Sequence, residues 1–514
     1  MGVRALAIAA TLVVALPAST GGVTPSYVSS PNPAILFVPL INSGDPFFGG
    51  TFEGIPDGIG VVPGPGANPT YVDLYVNHEQ SMVPFPVVNG FADFQNSSVS
   101  RVRLDLATKT IIDGGVALPA SAGFIRFCSS TVVIGNGFSH PMLFTNEESN
   151  DPLVVPGGAT YPADPFYGAN NLRQAGYTVA LDTVTGAITP IAGMGRHNHE
   201  NQVLIPGGWN NRLAFLSGDD TFTAPSSQLY MYLANNASNV LNDTGHLWAF
   251  QVTRANGVAV DPYNPWNGAN DYLDISAGET FKGRFIQVPD DIARGTSPGG
   301  EPQGRLEAWS NFNNVFQFVR VEDIAYDPDS PRTVYFADTG TTRLAEDPLT
   351  GRLLRLGSGG TNSNGRIFKM VLNKNDPRVV DSFRIFADSA DVGFVNPDNI
   401  AVGRRSIMVQ EDNGTAVAGS LDNDIWQYSM GSWTEIASAT QFATAETSGI
   451  VDMSKWLGAG WWALDVQSHV NLSLPDPTVP GTTYTVPWPL PPTVLTTTAR
   501  REDGQLLLMY VPGS

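Results

Sequence analysis

The chain has 514 residues, 42% of them hydrophobic and 15% charged, with 53 Gly and 39 Pro: a globular composition, long enough to bury a large core, rather than a disordered one. A formal charge of −20 argues against DNA, RNA and anionic membranes as partners and suits divalent cations or a salty medium. The only cysteine, Cys128, excludes an intrachain disulfide, so it is either buried and inert or a ligand or nucleophile.

Residues 1–20, MGVRALAIAATLVVALPAST, carry a basic start at Arg4, an apolar run from Ala5 to Leu16 and small residues at Ala18 and Ser19, which predicts a secretory signal. No later apolar run is long enough to span a membrane, so the expected product is a soluble chain, secreted or periplasmic, with one domain over 21–514. From there, strand-like runs rich in Val, Ile, Tyr, Phe and Trp alternate with Gly, Pro, Asn and Asp turns, and no sustained 3.6-residue apolar period appears. The chain is predicted to be all-β.

Six units of about four strands follow in order. The first runs through GIPDGIGVV (54–62), TYVDLYVNHEQ and SRVRLDLATKTII; the second through FIRFCSSTVVI (124–134), MLFTNEES and YTVALDTVTGAITPI. The third holds RHNHENQVLIP (196–206), RLAFLSGDD, QLYMYLA and HLWAFQV. The fourth is the clearest copy: VEDIAYDP, TVYFADTG, GRIFKMVL and SFRIFA, following Arg320. The fifth reads NPDNIAVG, SIMVQEDNG, DIWQYSM and WTEIAS, and the sixth TSGIVDMS, GWWALDVQSH and GQLLLMYVP. Four-stranded units repeated around an axis predict a six-bladed β-propeller, with AILFVPLI (34–41) as the early strand that closes the last blade. Six blades over the mature chain allow about 80 residues each, against about 40 to 50 for compact repeats. The excess is expected in long loop insertions over one mouth: Asp151 to Gln174, Asn256 to Phe318 and His469 to Pro492.

In a propeller the first strand of each blade lines the channel. At its start the six units place Asp57, Cys128, Glu200, Glu322, Asp398 and Ser448. At the end of the second strand they place Glu79, Glu147 with Glu148, Asp219 with Asp220, Asp338, Glu411 with Asp412, and Asp465. So many carboxylates around a narrow axis repel one another, and bound cations resolve the conflict. Oxygen-rich clusters suit calcium; a thiol among them suits iron, which accepts sulfur and carboxylate ligands together. Taken singly, each acid is also an ordinary turn former, as in the GDD at 218–220 and the DNG at 412–414. His197 and His199 alternate on a strand and share a face, with a structural role at least as well supported as a ligand role, while His78 and His469 stand beside the strand ends as supporting groups. Arg320, two residues before Glu322 on an extended chain, shares its face and is either a structural ion pair or a fork for an oxyanion. No GxSxG, HExxH or Walker motif is present.

NHE (77–79), Cys128 with NEE (146–148), GRHNHE (195–200), SGDD (217–220), QLYMYL (228–233), RVEDI (320–324), NPDN (396–399) and DVQSH (465–469) occur in the order found in PhoX-type alkaline phosphatases. Over roughly residues 50–470 the chain resembles that family as a divergent member. The resemblance implies a propeller with an iron and calcium cluster in its channel that hydrolyses small phosphorylated substrates, phosphate monoesters, outside the cytoplasm. It implies metal ligation by Cys128, Glu200, Glu322 and Asp398, to which the acidic register adds Glu79, Glu148, Asp220 and Asp57. Arg320 is the implied contact to substrate phosphate, and a metal-bound oxygen the implied nucleophile. A monomer is expected. The chain departs from the family in its single Arg4, which points to the general secretory route, and in NEE where the family has Cys-Glu-Glu. Two other readings stand beside this one: a calcium-dependent propeller hydrolase acting on lactones or phosphotriesters, and a non-catalytic calcium-stabilised surface or adhesion propeller.

Overall fold

Strand pairing in the computed structural model is antiparallel throughout the ring and resolves into six blades of four strands, with Val28–Ser29 adding a short fifth strand to blade 5. The structure describes residues 25–82, 97–150, 152–154, 172–221, 227–255, 258–259, 269–412, 423–439, 445–472 and 499–514. The predicted signal segment and most of the third insertion lie outside these residues.

Blade 1 comprises Pro56–Pro63, Tyr71–His78, Ser98–Asp105 and Ile111–Leu118. Blade 2 comprises Phe127–Val133, Met142–Glu147, Thr178–Asp182 and Ile188–Ile191. Blade 3 is His199–Ile205, Leu213–Asp219, Leu229–Ala234 and His246–Ala255; blade 4 is Val321–Asp327, Ser330–Asp338, Arg366–Leu372 and Val379–Asp388. Blade 5 is Pro397–Val402, Ser406–Glu411, Asp424–Ser429 and Ser432–Ala439. Blade 6 is Ala445–Asp452, Trp461–Leu472 and Ala499–Tyr510, completed by Leu36–Asn42 from the start of the chain. Each inner strand packs against the inner strand of the next blade, and the sixth packs against the first, so the ring is closed.

Burial follows position in the blade. Inner and second strands are covered on both faces by neighbouring blades, and His199–Ile205 and Met142–Glu147 are buried along their whole length. Outer strands reach the rim and regain an alternation of buried and more exposed residues, as in Val379–Asp388. The apolar side chains sort into one cluster per blade interface. Tyr75, Phe127 and Leu143 lie between blades 1 and 2; Phe144, Leu204 and Phe215 between 2 and 3; Ile400, Ala337 and Val409 between 4 and 5. Met408, Trp462 and Leu464 lie between blades 5 and 6, and Val61, Leu74 and Leu506 between 6 and 1. The largest cluster, between blades 3 and 4, holds a nest of phenylalanines including Phe250, Phe318, Phe336, Phe368 and Phe383.

The described parts of the first two insertions hold regular structure. Within Asn256 to Phe318, the strand Phe281–Gln287 pairs with the outer strands of both blade 3 and blade 4 and joins them into one sheet. A helix, Pro302–Phe312, follows and sits beside the end of blade 3's second strand, where Gln303 Nε2 donates to Thr221 Oγ1 at 2.5 Å. In the first insertion, Pro152–Val154 pairs with Leu172–Gln174. A further excursion that the sequence did not mark, Thr341–Glu346 with Leu353–Arg355 and Thr361–Ser363, forms a small sheet between the second and third strands of blade 4.

Candidate metal centre

All six ladders between first and second strands carry an irregularity at the same place: at 56–59, 127–130, 199–202, 321–324, 397–400 and 448–450. A bulge sets two residues against one and re-aims their side chains. The first bulge residue is the predicted axial one. Asp57, Cys128, Glu200, Glu322, Asp398 and Ser448 are all buried and face the channel. The second bulge residues tie blade to blade. Asn201 donates to Asp323 Oδ1, Asp323 Oδ2 accepts from the Ile400 amide at 3.1 Å, and Asn399 Oδ1 from the Gly449 amide at 2.5 Å. In blade 1 this position is Gly58, where a Cβ would stand 2.2 Å from the Ser130 nitrogen; only glycine allows that approach.

The second-strand acids divide by a single residue of register. Glu79, Glu148, Asp220 and Asp412 reach the centre: Arg126 Nε pairs with Glu79 at 3.1 Å and Glu148 at 3.2 Å, and Arg320 pairs with Asp220, Glu322 and Asp412. The preceding acids turn back into the blade and hold its entry. Glu147 accepts from the Ile125 amide, Asp338 from Val319 and Glu411 from Val395, in each case two residues before the inner strand begins. Asp219 differs: it accepts from the hydroxyl of Thr221, just beyond its own strand, at 2.7 Å. Asp465 is a correction to the predicted register. It lies opposite Ser448, so the position matching Glu148 is Gln467, whose amide donates to Asp57 Oδ2 at 3.3 Å. In blade 4 that position is Thr339, donating to Glu322 Oε1 at 2.6 Å.

The convergent groups form three overlapping sets: Asp57, Glu79 and Cys128; Cys128, Glu148 and Glu200; Glu200, Glu322 and Asp398. Within each set, one ligand atom per residue lies within 4.8 Å of the others. Cys128 Sγ is 3.3 Å from Asp57 Oδ2 and 3.2 Å from Glu200 Oε1, and Ser129 Oγ donates to the same Glu200 oxygen at 2.9 Å. Burial and then neighbouring charge push Glu148, Glu200, Glu322 and Asp398 well above the usual carboxylate range, and the same two causes raise the Cys128 thiol. Asp220 is instead held low, by Arg320 against its own burial. Oδ1 of Asp57 is buried without a hydrogen-bond partner. A buried set of mutually repelling carboxylates, a thiol and an unpartnered oxygen fits divalent or trivalent cations by its own chemistry.

Sequence reasoning missed two members. Arg126 stands two residues before Cys128 as Arg320 stands two before Glu322, and Glu446 stands two before Ser448, so the register itself could have found both. Glu446 is hydrogen-bonded by Gln467 and raised by burial and by Asp412. His78, His197 and His199 bond within their blades and are structural. His197 and His199 stack with centroids 3.5 Å apart, both near the Ser217 hydroxyl, and His78 turns outward to Ser100 at 2.9 Å. The His469 side chain lies outside the described residues. The opposite mouth is different in character: a cavity of ≈ 770 Å³ lined by groups such as Ile59, Val203, Ile324, Ile400 and Ile450, with none of the converging acids.

The alkaline phosphatase PhoX family matches residues 141–449, more than half of the chain. Among curated proteins nothing matches. Solved structures with distant likeness include a glucose dehydrogenase (11% identity, 77% of this chain and 87% of that one, TM-score 0.27) and the soluble aldose sugar dehydrogenase of Escherichia coli (11%, 77% and 86%, 0.31). The Dos1 propeller is similar at 8% identity over 72% of each chain, with a TM-score of 0.26. At that distance they carry no argument about chemistry. The family match spans Glu148, Glu200, Asp220, Arg320, Glu322 and Asp398, while Asp57, Glu79 and Cys128 precede it and are brought to the same centre by the closed ring. The chain belongs to the alkaline phosphatase PhoX family.

Proposed function

We propose that this chain is an exported, metal-dependent phosphatase that hydrolyses small phosphate monoesters at the carboxylate-lined end of its channel. The observation that carries this reading is the convergence of Asp57, Glu79, Cys128, Glu148, Glu200, Glu322 and Asp398 with two guanidinium groups, Arg126 and Arg320, at one end of a closed ring. The set Glu200, Glu322 and Asp398 offers oxygen alone and suits calcium; the two sets that share Cys128 suit iron. Cations held there would supply Lewis acidity and neutralise charge for an in-line displacement at phosphorus.

The protein groups have roles of their own. Nε and Nη2 of Arg320 meet the two oxygens of Asp220 at 2.7 and 2.9 Å, and a phosphoryl group presents the same paired anionic oxygens. Substrate phosphate therefore competes with Asp220 for the fork, and Arg320 orients the phosphoryl group. Arg126 is a second fixed cation, between Glu79 and Glu148. Ser448 donates to Asp57 Oδ2 at 2.7 Å and Thr339 to Glu322, which holds those carboxylates in place.

A second reading rests on the same Arg320–Asp220 pair: if the fork stays committed to Asp220, the ring is a calcium-stabilised scaffold and Arg320 its counter-ion. Metal analysis with an assay on p-nitrophenyl phosphate separates the two. Iron with calcium and turnover supports the phosphatase; calcium alone without turnover supports the scaffold.

A further inference from the structure

We propose that Asp271, Asp274 and Glu346 form a second, peripheral cation site that takes calcium and fastens two excursions of blade 4's surroundings to each other. Asp271 and Asp274 belong to the turn around Tyr272–Asp274, in the crossover between blades 3 and 4, and Glu346 ends the strand Thr341–Glu346. One carboxylate oxygen from each lies within 4.8 Å of the other two.

The independent observation is at Asp271. Its side chain is fully buried, Oδ1 accepts from the Leu273 amide at 2.9 Å, and Oδ2 is buried with no hydrogen-bond partner. An anionic oxygen in that state is costly unless a cation answers it. None of the three carboxylates has a salt bridge among the described residues. Arg352 is near enough to feel Asp271 and Asp274, but its guanidinium donates elsewhere, to Asn311 Oδ1 and to the carbonyls of Asn270 and Val315. Three carboxylates against one guanidinium leave two negative charges, the complement of a divalent ion. Burial, then the charge of Asp271, pushes Asp274 up to about 7, which is the same lack of neutralisation seen from another side.

The donor set decides the ion class. Only oxygen is offered, without thiol or imidazole, which disfavours zinc and iron and suits calcium at about 2.3–2.6 Å from each ligand. Asp274 is half-buried and Glu346 exposed, so water can complete the coordination shell. The backbone of Asp271 also bridges to Gln317, which anchors this turn to the segment before blade 4.

Calcium binding to the full-length protein tests this, with Glu346→Gln as the principal variant because an exposed side chain does not put folding at risk, and Asp271→Asn as the second. Equilibrium dialysis with elemental analysis is expected to show one calcium fewer per chain in each variant, or one class weakened at least about tenfold, with the other bound metals and hydrolysis of p-nitrophenyl phosphate unchanged. Protease cleavage in 341–363 should also lose its protection by calcium. Wild-type calcium stoichiometry and affinity in Glu346→Gln, with unaltered protection, would overturn the site. That result leaves the phosphatase reading untouched, because the central acids are different residues.

Discussion

Arg320 and Asp220 form a two-point ion pair, Nε to Oδ1 at 2.7 Å and Nη2 to Oδ2 at 2.9 Å, both side chains buried and joining the inner strand of blade 4 to the second strand of blade 3. The same Nη2 is 3.0 Å from Glu322 Oε1 and Nη1 is 3.7 Å from Asp412 Oδ2, so one guanidinium meets three of the carboxylates that line the centre.

Replacing Arg320 by Ala is expected to lower kcat/KM on p-nitrophenyl phosphate by about 10²–10³, the usual effect of removing one donor that meets developing charge. Metal content should persist, since Cys128, Glu200 and Asp398 remain. Arg320→Lys keeps the charge but not the fork and should recover only part of the rate. Steady-state kinetics and elemental analysis on both variants check this; wild-type kinetics in Arg320→Ala would leave Arg320 a purely structural partner of Asp220.

Cys128→Ser removes a sulfur donor shared by two of the three ligand sets. The hydroxyl is a hard donor of similar size, so iron should be lost while calcium stays, together with the phosphomonoesterase activity. Elemental analysis gives the iron-to-calcium ratio directly. An unchanged ratio with unchanged hydrolysis would remove Cys128 from the centre.

Asp465→Asn is a control drawn from the register correction. Both oxygens of Asp465 are buried without partners, and burial holds its carboxyl well above the usual range. An amide of the same shape removes the cost of ionising it, so thermal stability at pH 8 should be equal or higher and the metal content unchanged. Asp57→Asn, one blade away and inside a ligand set, should instead lose metal.

Acid should weaken the fold through its neutral buried histidines. Burial pushes His78 down to about 3 and His199 down to about 4. At these two positions the unfolded chain takes up protons below about pH 6.5 while the folded chain does not, so the histidines' contribution to stability is full above that pH. It falls towards pH 4 by up to about 1.4 kcal/mol per pH unit for each such histidine. The raised buried carboxylates act in the opposite sense over the same window, so the histidine part is read as the difference between the wild-type and His78→Gln slopes in denaturant melts between about pH 4 and 7, the variant losing less stability towards acid.

The repeat pattern in the sequence carried the architecture: the six units, the strand order within each, and the early strand Leu36–Asn42 closing blade 6 all follow from alternation and turn chemistry, which are local. It carried the axial register too, because the start of an inner strand is a countable position. What local pattern does not encode is the bulge. Whether Glu147 or Glu148 faces the centre depends on how two strands are offset, and the same offset separates Asp219 from Asp220 and removes Asp465 in favour of Gln467. The insertions were unreadable for a different reason. Phe281–Gln287 is a strand because two outer strands wait on either side of it, and Asp271 meets Glu346 only because blade 4 folds between them. The sequence by itself determined which residue types return at each turn of the ring; only the closed tertiary structure decided which of them share a cation and which merely hold the chain, since that depends on a one-residue offset between strands.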